Sequence, residues 1–173
     1  MSVLLFLDIA TTTGWAAGSA LSDRPSESGI IALPRTKGTD AKFGAFLDWM
    51  VARLSAHRPR LVVFEAPIGP GMDRAGLTNY ATKYTLTGLC AVAEAACAVS
   101  RVPCAQVSSA KIRKSLLGAK PPAKEAKAMV IAELHRRGYA PRDDNEADAI
   151  AGWLHSAAEL RASLPNPTIM KTT

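Results

Sequence analysis

The chain has 173 residues, 48% of them hydrophobic and 21% charged, with a formal net charge of +6. That is enough for one domain with a buried core, and the composition is that of an ordinary globular protein rather than a disordered or low-complexity one. No stretch reads as transmembrane, and Asp8 breaks the first apolar run too early, with no basic segment before it, for a signal peptide; a cytoplasmic protein without a membrane partner is expected.

Val3 to Asp8 reads as a short central strand, an apolar run closed by a carboxylate. Thr11-Thr12-Thr13-Gly14 turns the chain, and Trp15 to Gly18 returns as a second strand. A polar turn with Pro25 follows, and Gly29 to Leu33 predicts a third strand stopped by Pro34. Three short strands with tight links predict an antiparallel meander. The period then changes: Phe43, Phe46, Leu47, Met50, Val51 and Leu54 recur at helical spacing, and Pro59 ends that helix. Leu61 to Phe64 predicts a buried strand closed by Glu65, and Ala66 to Met72, with two prolines and two glycines, predicts a loop. Residues 75–100 predict a long Ala-rich helix with a weak point at Gly88, and Pro103 to Val107 a further strand. Ser108 is placed to cap a short helix ending at Leu117. After the Gly118–Pro122 loop, a helix is predicted from Ala123 to Arg137, capped by Gly138, and a last one over 144–162. The whole predicts a single α/β domain over 1–162, with a mixed five-stranded sheet (the meander plus parallel strands) flanked by helices. A frayed tail over 163–173 carries Pro165 and Pro167. Cys90, Cys97 and Cys104 form no C-x-x-C pair, and all three read as reduced packing residues rather than metal or redox groups.

The chemistry is carried by carboxylates at element ends. Asp8 and Glu65 each close a buried run, and Asp148 lies amid Ala147, Ala149, Ile150, Ala151 and Trp153, just after Asp143, Asp144 and Glu146. A carboxylate at the end of a buried strand is costly unless its charge is offset. A parallel pairing of the two strands would set Glu65 beside Asp8, where two like charges repel unless a cation lies between them, and an all-oxygen site suits magnesium or manganese. Asp8 could equally cap its own turn, and an acidic first turn stabilises a helix without further purpose. The basic charge is segregated: residues 101–142 hold ten Lys or Arg against Glu125 and Glu133, a local +8. Basic charge beside an acidic cluster points to a metal site acting on a phosphate-bearing substrate.

These motifs, in order, resemble the RuvC-type Holliday junction resolvases of the RNase H-like superfamily, from about Val3 to His155. Leu4-Leu5-Phe6-Leu7-Asp8-Ile9-Ala10-Thr11-Thr12-Thr13-Gly14-Trp15 is similar to the family's first strand and turn, and Leu61-Val62-Val63-Phe64-Glu65 to the strand bearing its catalytic Glu. Val107-Ser108-Ser109-Ala110-Lys111-Ile112-Arg113-Lys114 resembles its basic segment, Lys124 a second family Lys, and Glu146-Ala147-Asp148-Ala149-Ile150-Ala151 its closing helix. The resemblance implies an RNase H-like fold and an endonuclease that cleaves branched DNA with two divalent ions, Mg2+ or Mn2+, roughly 4 Å apart, leaving 5′ phosphate and 3′ hydroxyl ends. Asp8 would bridge the ions, with Glu65 and Asp148 completing the site. Lys111 and Lys124 would reach the scissile region, and Arg113, Lys114, Lys120 and Lys127 would join them on the DNA. It also implies a homodimer, with the Ala-rich helix from Leu77 to Val99 (small residues Gly88, Ala91 and Ala95) as interface or as sheet-packing element, and a bacterial or phage origin.

Two departures stand out. Where many members have Asp or His three residues before the last Asp, this chain has Asn145; the fourth ligand falls to Asn145, Asp144 or Glu146, with Asp144 favoured by its i,i+4 relation to Asp148. The loop after Glu65 lacks the aromatic that wedges into a junction, leaving Met72, Tyr80 and Tyr84 as the bulky residues nearby. A DEDD-type 3′–5′ exonuclease is a rival reading, weakened by Ala10 in the place of its second acid. A catalytically weakened DNA-binding protein is another, supported by Asn145.

Overall fold

The apolar run at the N-terminus forms the middle of a sheet, which is why it is apolar on both faces. The computed structural model describes residues 3–35, 38–66, 80–122 and 124–163. The strands among them are β1 (Val3–Asp8), β2 (Thr12–Ser19), β3 (Glu27–Ala32), β4 (Leu61–Glu65) and β5 (Cys104–Val107), in the spatial order β3-β2-β1-β4-β5. The first three form the antiparallel meander, and β4 and β5 extend the sheet in parallel with β1. The helices are α1 (Thr39–His57), α2 (Tyr80–Val99), α3 (Ser109–Leu117), α4 (Ala126–Arg136) and α5 (Asp144–Ser163).

Alternation along β1 divides the core. Leu5 and Leu7 point into a cluster with Phe46, Met50 and Leu54 of α1 and Leu89, Ala93 and Cys97 of α2. Leu4 and Phe6 point the other way, onto Ile150 and Trp153 of α5, with α3 and α4 behind. The contact with α5 is close because residue 152 has no side chain: a Cβ at Gly152 would lie 2.1 Å from the Phe6 ring. Trp153 Nε1 donates to the Leu4 carbonyl at 3.2 Å, fixing the helix along the strand.

Several boundaries differ from the sequence expectation. β2 starts at Thr12, not Trp15, because Asp8 already pairs with Gly14. The intervening turn is closed by Thr13, whose hydroxyl donates to the Ala10 carbonyl at 2.7 Å. β3 starts at Glu27, paired with Ala17, and Leu33 lies beyond it. α4 starts at Ala126: Pro121 and Pro122 lack the donors of a helical turn, and the Glu125 N–H closes a tight turn onto the Pro122 carbonyl. Gly118 and Gly138 take positive φ (75° and 81°) where α3 and α4 end, the conformation glycine adopts without strain. Cys90 and Cys97 are packing residues as expected; Cys104 is not, because β5 is a sheet edge and leaves it exposed. Met72, the loop after Ala66, the expected helix start at 75 and the tail from 164 lie outside the described residues. Among the described residues, no helix is long and apolar enough to cross a membrane.

Candidate active site

Three elements deliver carboxylates to one end of the sheet. Leu7 pairs with Phe64 in parallel register, so the next residues, Asp8 and Glu65, end neighbouring strands side by side. Gly14, opposite Asp8, lets the first turn of α5 press against β2: a Cβ there would lie 1.9 Å from the Asn145 carbonyl oxygen. That approach brings Asp148, one turn into α5, to the same place.

The electrostatics show the three acids as one group. Burial pushes Asp8 up from the usual aspartate range to about 7, and the charges of Glu65 and then Asp148 add to the effect. Burial also raises Glu65, with Asp148 contributing, while a hydrogen bond from Ser109 works against the rise. Asp148 is raised by burial. Two cations, Arg113 of α3 and Lys127 of α4, oppose the rise at all three carboxylates.

The candidates for a fourth ligand are arranged differently from one another. Asp144 is bonded to Lys127, which lowers its pKa, and its charge is felt by Asp148. The Asn145 amide points at Asp144, 3.5 Å away. Glu146 is almost fully buried and committed elsewhere: Ser28 Oγ donates to it at 2.7 Å and the Arg142 N–H at 2.8 Å. Burial alone would raise Glu146, but these bonds hold it below the usual range. It ties β3 to the start of α5.

The basic residues divide by surface. Lys120 shares a pocket with Ser109 and Arg113, beside the acids. Lys111 and Lys114 line a separate groove along β5, with His155 and Glu159 of α5. Lys124 is exposed in the turn before α4. Tyr80 and Tyr84 are 82% and 51% exposed and stack on each other with centroids 6.2 Å apart. Their helix borders a pocket shared with Ala10 and Thr11, directly after Asp8. The sequence reading missed Ser109; its position after a strand that pairs Val107 with Glu65 was the available signal.

Among the described residues, no three Asp, Glu, His or Cys side chains converge closely enough to hold an ion as they stand. The donor chemistry nonetheless fits a hard divalent cation: oxygen ligands only, half-buried, each raised by burial and further by a neighbouring carboxylate.

No family model and no curated protein matches the sequence. Solved structures do. RuvC of T. thermophilus in complex with a Holliday junction substrate is similar at a TM-score of 0.72 and 19% identity, over 94% of this chain and 97% of that one. A second Thermus thermophilus RuvC structure gives 0.72 and 20%, over 92% and 96%. The yeast mitochondrial Holliday junction resolvase gives 0.55 and 14%, over 94% and 81%. Over nearly its whole length, therefore, this chain has the RNase H-like fold in the form that the RuvC structures take.

Proposed function

We propose that this protein is a metal-dependent, structure-selective endonuclease that cleaves branched DNA, Holliday junctions included, by phosphodiester hydrolysis. One observation carries the reading: Asp8, Glu65 and Asp148, far apart in sequence, form one half-buried electrostatic group at the ends of β1 and β4 and the start of α5. The likeness to a RuvC solved with junction DNA supports the substrate class.

Asp8, Glu65 and Asp148 would hold two Mg2+ or Mn2+ ions, with Asp144 the best-placed fourth acid. When bound, such ions supply Lewis acidity for the attacking water and the leaving 3′ oxygen. The protein's own groups prepare the site. Ser109 lies beside Glu65 and favours its charged form. Arg113 and Lys127 offset the carboxylate charge and are the cations placed to meet the scissile phosphate. Lys111, Lys114, Lys120 and Lys124 bind flanking phosphates, which positions DNA without reading its sequence. The exposed Tyr80–Tyr84 pair offers a stacking face to a base unpaired at the branch point. Symmetric incision needs two sites and hence a homodimer. Gly88 is filled within the chain by Phe43, while Ala91 and Ala95 are exposed and Ala95 lines an apolar groove with Leu47, Val51 and Val99. That α1–α2 face is the proposed dimer surface.

A second reading, a DNA-binding protein with a weakened site, is favoured by the Lys127–Asp144 pair and the uncharged Asn145. One experiment separates the two: a synthetic four-way junction incubated with Mg2+ or Mn2+ and either wild type or Asp8→Asn. Paired incisions near the branch point, reduced to background by the substitution, support the nuclease. Binding without cleavage in both proteins supports the second reading, and trimming from 3′ ends overturns both.

A further inference from the structure

The link between α2 and β5 brings two thiols together. Cys97, in the last turn of α2, is wholly buried, whereas Cys104 opens an edge strand and is exposed. The two side chains lie close enough for the Cys104 thiol to push the Cys97 pKa up. The segment between them is folded back tightly: the Val102 N–H donates to the Cys97 carbonyl at 2.9 Å, and the Arg101 N–H to Ala98 at 3.1 Å, with Arg101 at a φ of 55°. The Pro103 carbonyl accepts from Val62 at 3.0 Å. Both cysteines are thus anchored, one by a helix and one by a sheet, within interaction distance of each other. Cys90 lies two helical turns earlier in the same core and has no thiol beside it.

We propose that Cys97 and Cys104 form a modification site, a thiol pair that closes reversibly to an intramolecular disulfide by exchange with a low-molecular-weight disulfide such as oxidised glutathione. Cys104, the exposed partner, reacts first. Its thiolate, having given its proton to solvent, attacks one sulfur of the reagent; the reagent's S–S bond breaks, and one glutathione leaves as a thiolate that takes up a proton. Cys97 then loses its proton and attacks the Cys104 sulfur of the mixed disulfide, expelling the second glutathione. Two protein thiols are oxidised and one reagent disulfide is reduced to two thiols, so no further oxidant is needed. The order follows from access and acidity: burial, with the Cys104 thiol and the nearby Glu94 adding to it, pushes Cys97 up to about 12, so it is a poor first nucleophile but adjacent to the sulfur it must attack. The crosslink ties the exposed edge strand to α2. It does not depend on the nuclease reading.

The test uses the full chain in its native state. After incubation with oxidised glutathione and an acid quench, the protein is denatured, alkylated and measured by mass spectrometry. The expected product keeps one alkylatable thiol of the three, Cys90, and yields a Cys97–Cys104 crosslinked peptide that dithiothreitol releases. Cys90→Ser still forms the crosslink, and Cys97→Ser stops at a stable glutathione adduct on Cys104. A wild type that keeps all three thiols, stops at the adduct, or joins Cys104 between two chains overturns the proposal.

Discussion

Asp8 sits where an isolated carboxylate is least favourable, at the end of a strand buried on both faces and beside two other acids. Without a cation its pKa is about 7, against roughly 3.9 for an aspartate in an unfolded chain. Between those values the folded protein holds a proton that the unfolded chain has released. Its effect on stability is therefore neutral below about pH 4, becomes progressively unfavourable as the pH rises to about 7, and is constant above that. Glu65 and Asp148 act in the same direction, whereas Asp144 and Glu146, held low by Lys127 and Arg142, act in the other. The informative quantity is thus the difference from Asp8→Asn. In urea titrations with a chelator, the variant is expected to gain on the wild type between pH 5 and pH 8, by no more than about 1.4 kcal/mol per pH unit for one group. Mg2+ or Mn2+ should recover the wild type at pH 8 and leave the variant unmoved; parallel stability curves with no metal response would remove the basis for the site. Lys127 gives a second expectation at this scale. It faces the acids, while Lys124 lies exposed in the preceding turn, so Lys127→Ala should slow junction cleavage on the order of 10²-fold. Lys124→Ala should act mainly on affinity, as single-turnover rates at saturating enzyme would show.

At the scale of elements, the strand ends were legible because a two-sided apolar run closed by a carboxylate has few other meanings. The helices were legible from their period. What could not be read is rotation and register. Whether Arg113 or Lys111 of α3 meets the acids depends on how that helix rolls on β4 and β5. Whether Lys124 or Lys127 does so depends on where α4 starts: a start at 123 would put Lys124 in its first turn, and the observed start at Ala126 puts Lys127 there instead. Ser109 comes beside Glu65 only through the β4–β5 pairing. Gly14 and Gly152 look unremarkable in sequence, yet they set the distance between α5 and the sheet, and with it the position of Asp148. Gly152→Ala is expected to cost about 2–3 kcal/mol in urea unfolding, because the new methyl meets the Phe6 ring, and Phe6→Leu should recover part of that loss in the double variant. At Gly14 the obstacle is a backbone carbonyl, which cannot rotate away. Gly14→Ala must displace the start of α5 and should lower cleavage along with stability.

At the scale of the whole molecule, the two faces of the sheet have different surfaces. One carries α3, α4 and α5, with most of the +8 segment, of which Arg113 and Lys127 act on the acids; the other carries α1 and α2, with an apolar groove. The basic face makes binding to junction DNA steeply salt-dependent, whatever the sequence. The apolar face bears on assembly. Leu47 and Val51, 41% and 52% exposed, lie one turn apart on α1 and line that groove with Ala95 and Val99 of α2. A patch of this kind, used twice about a two-fold axis, makes a self-complementary contact and places two identical sites in fixed relation. Cutting both strands of a junction in one binding event requires that relation. Leu47→Glu combined with Val51→Glu sets like charges against each other across the axis and leaves the carboxylates at the strand ends untouched. In sedimentation velocity the variant is expected to run as a monomer where the wild type runs as a dimer. On a supercoiled cruciform plasmid it should give mainly the nicked circle, while the wild type gives the linear product of paired cuts. A variant that is monomeric yet still linearises the plasmid in a single encounter would show that paired incision does not need this surface.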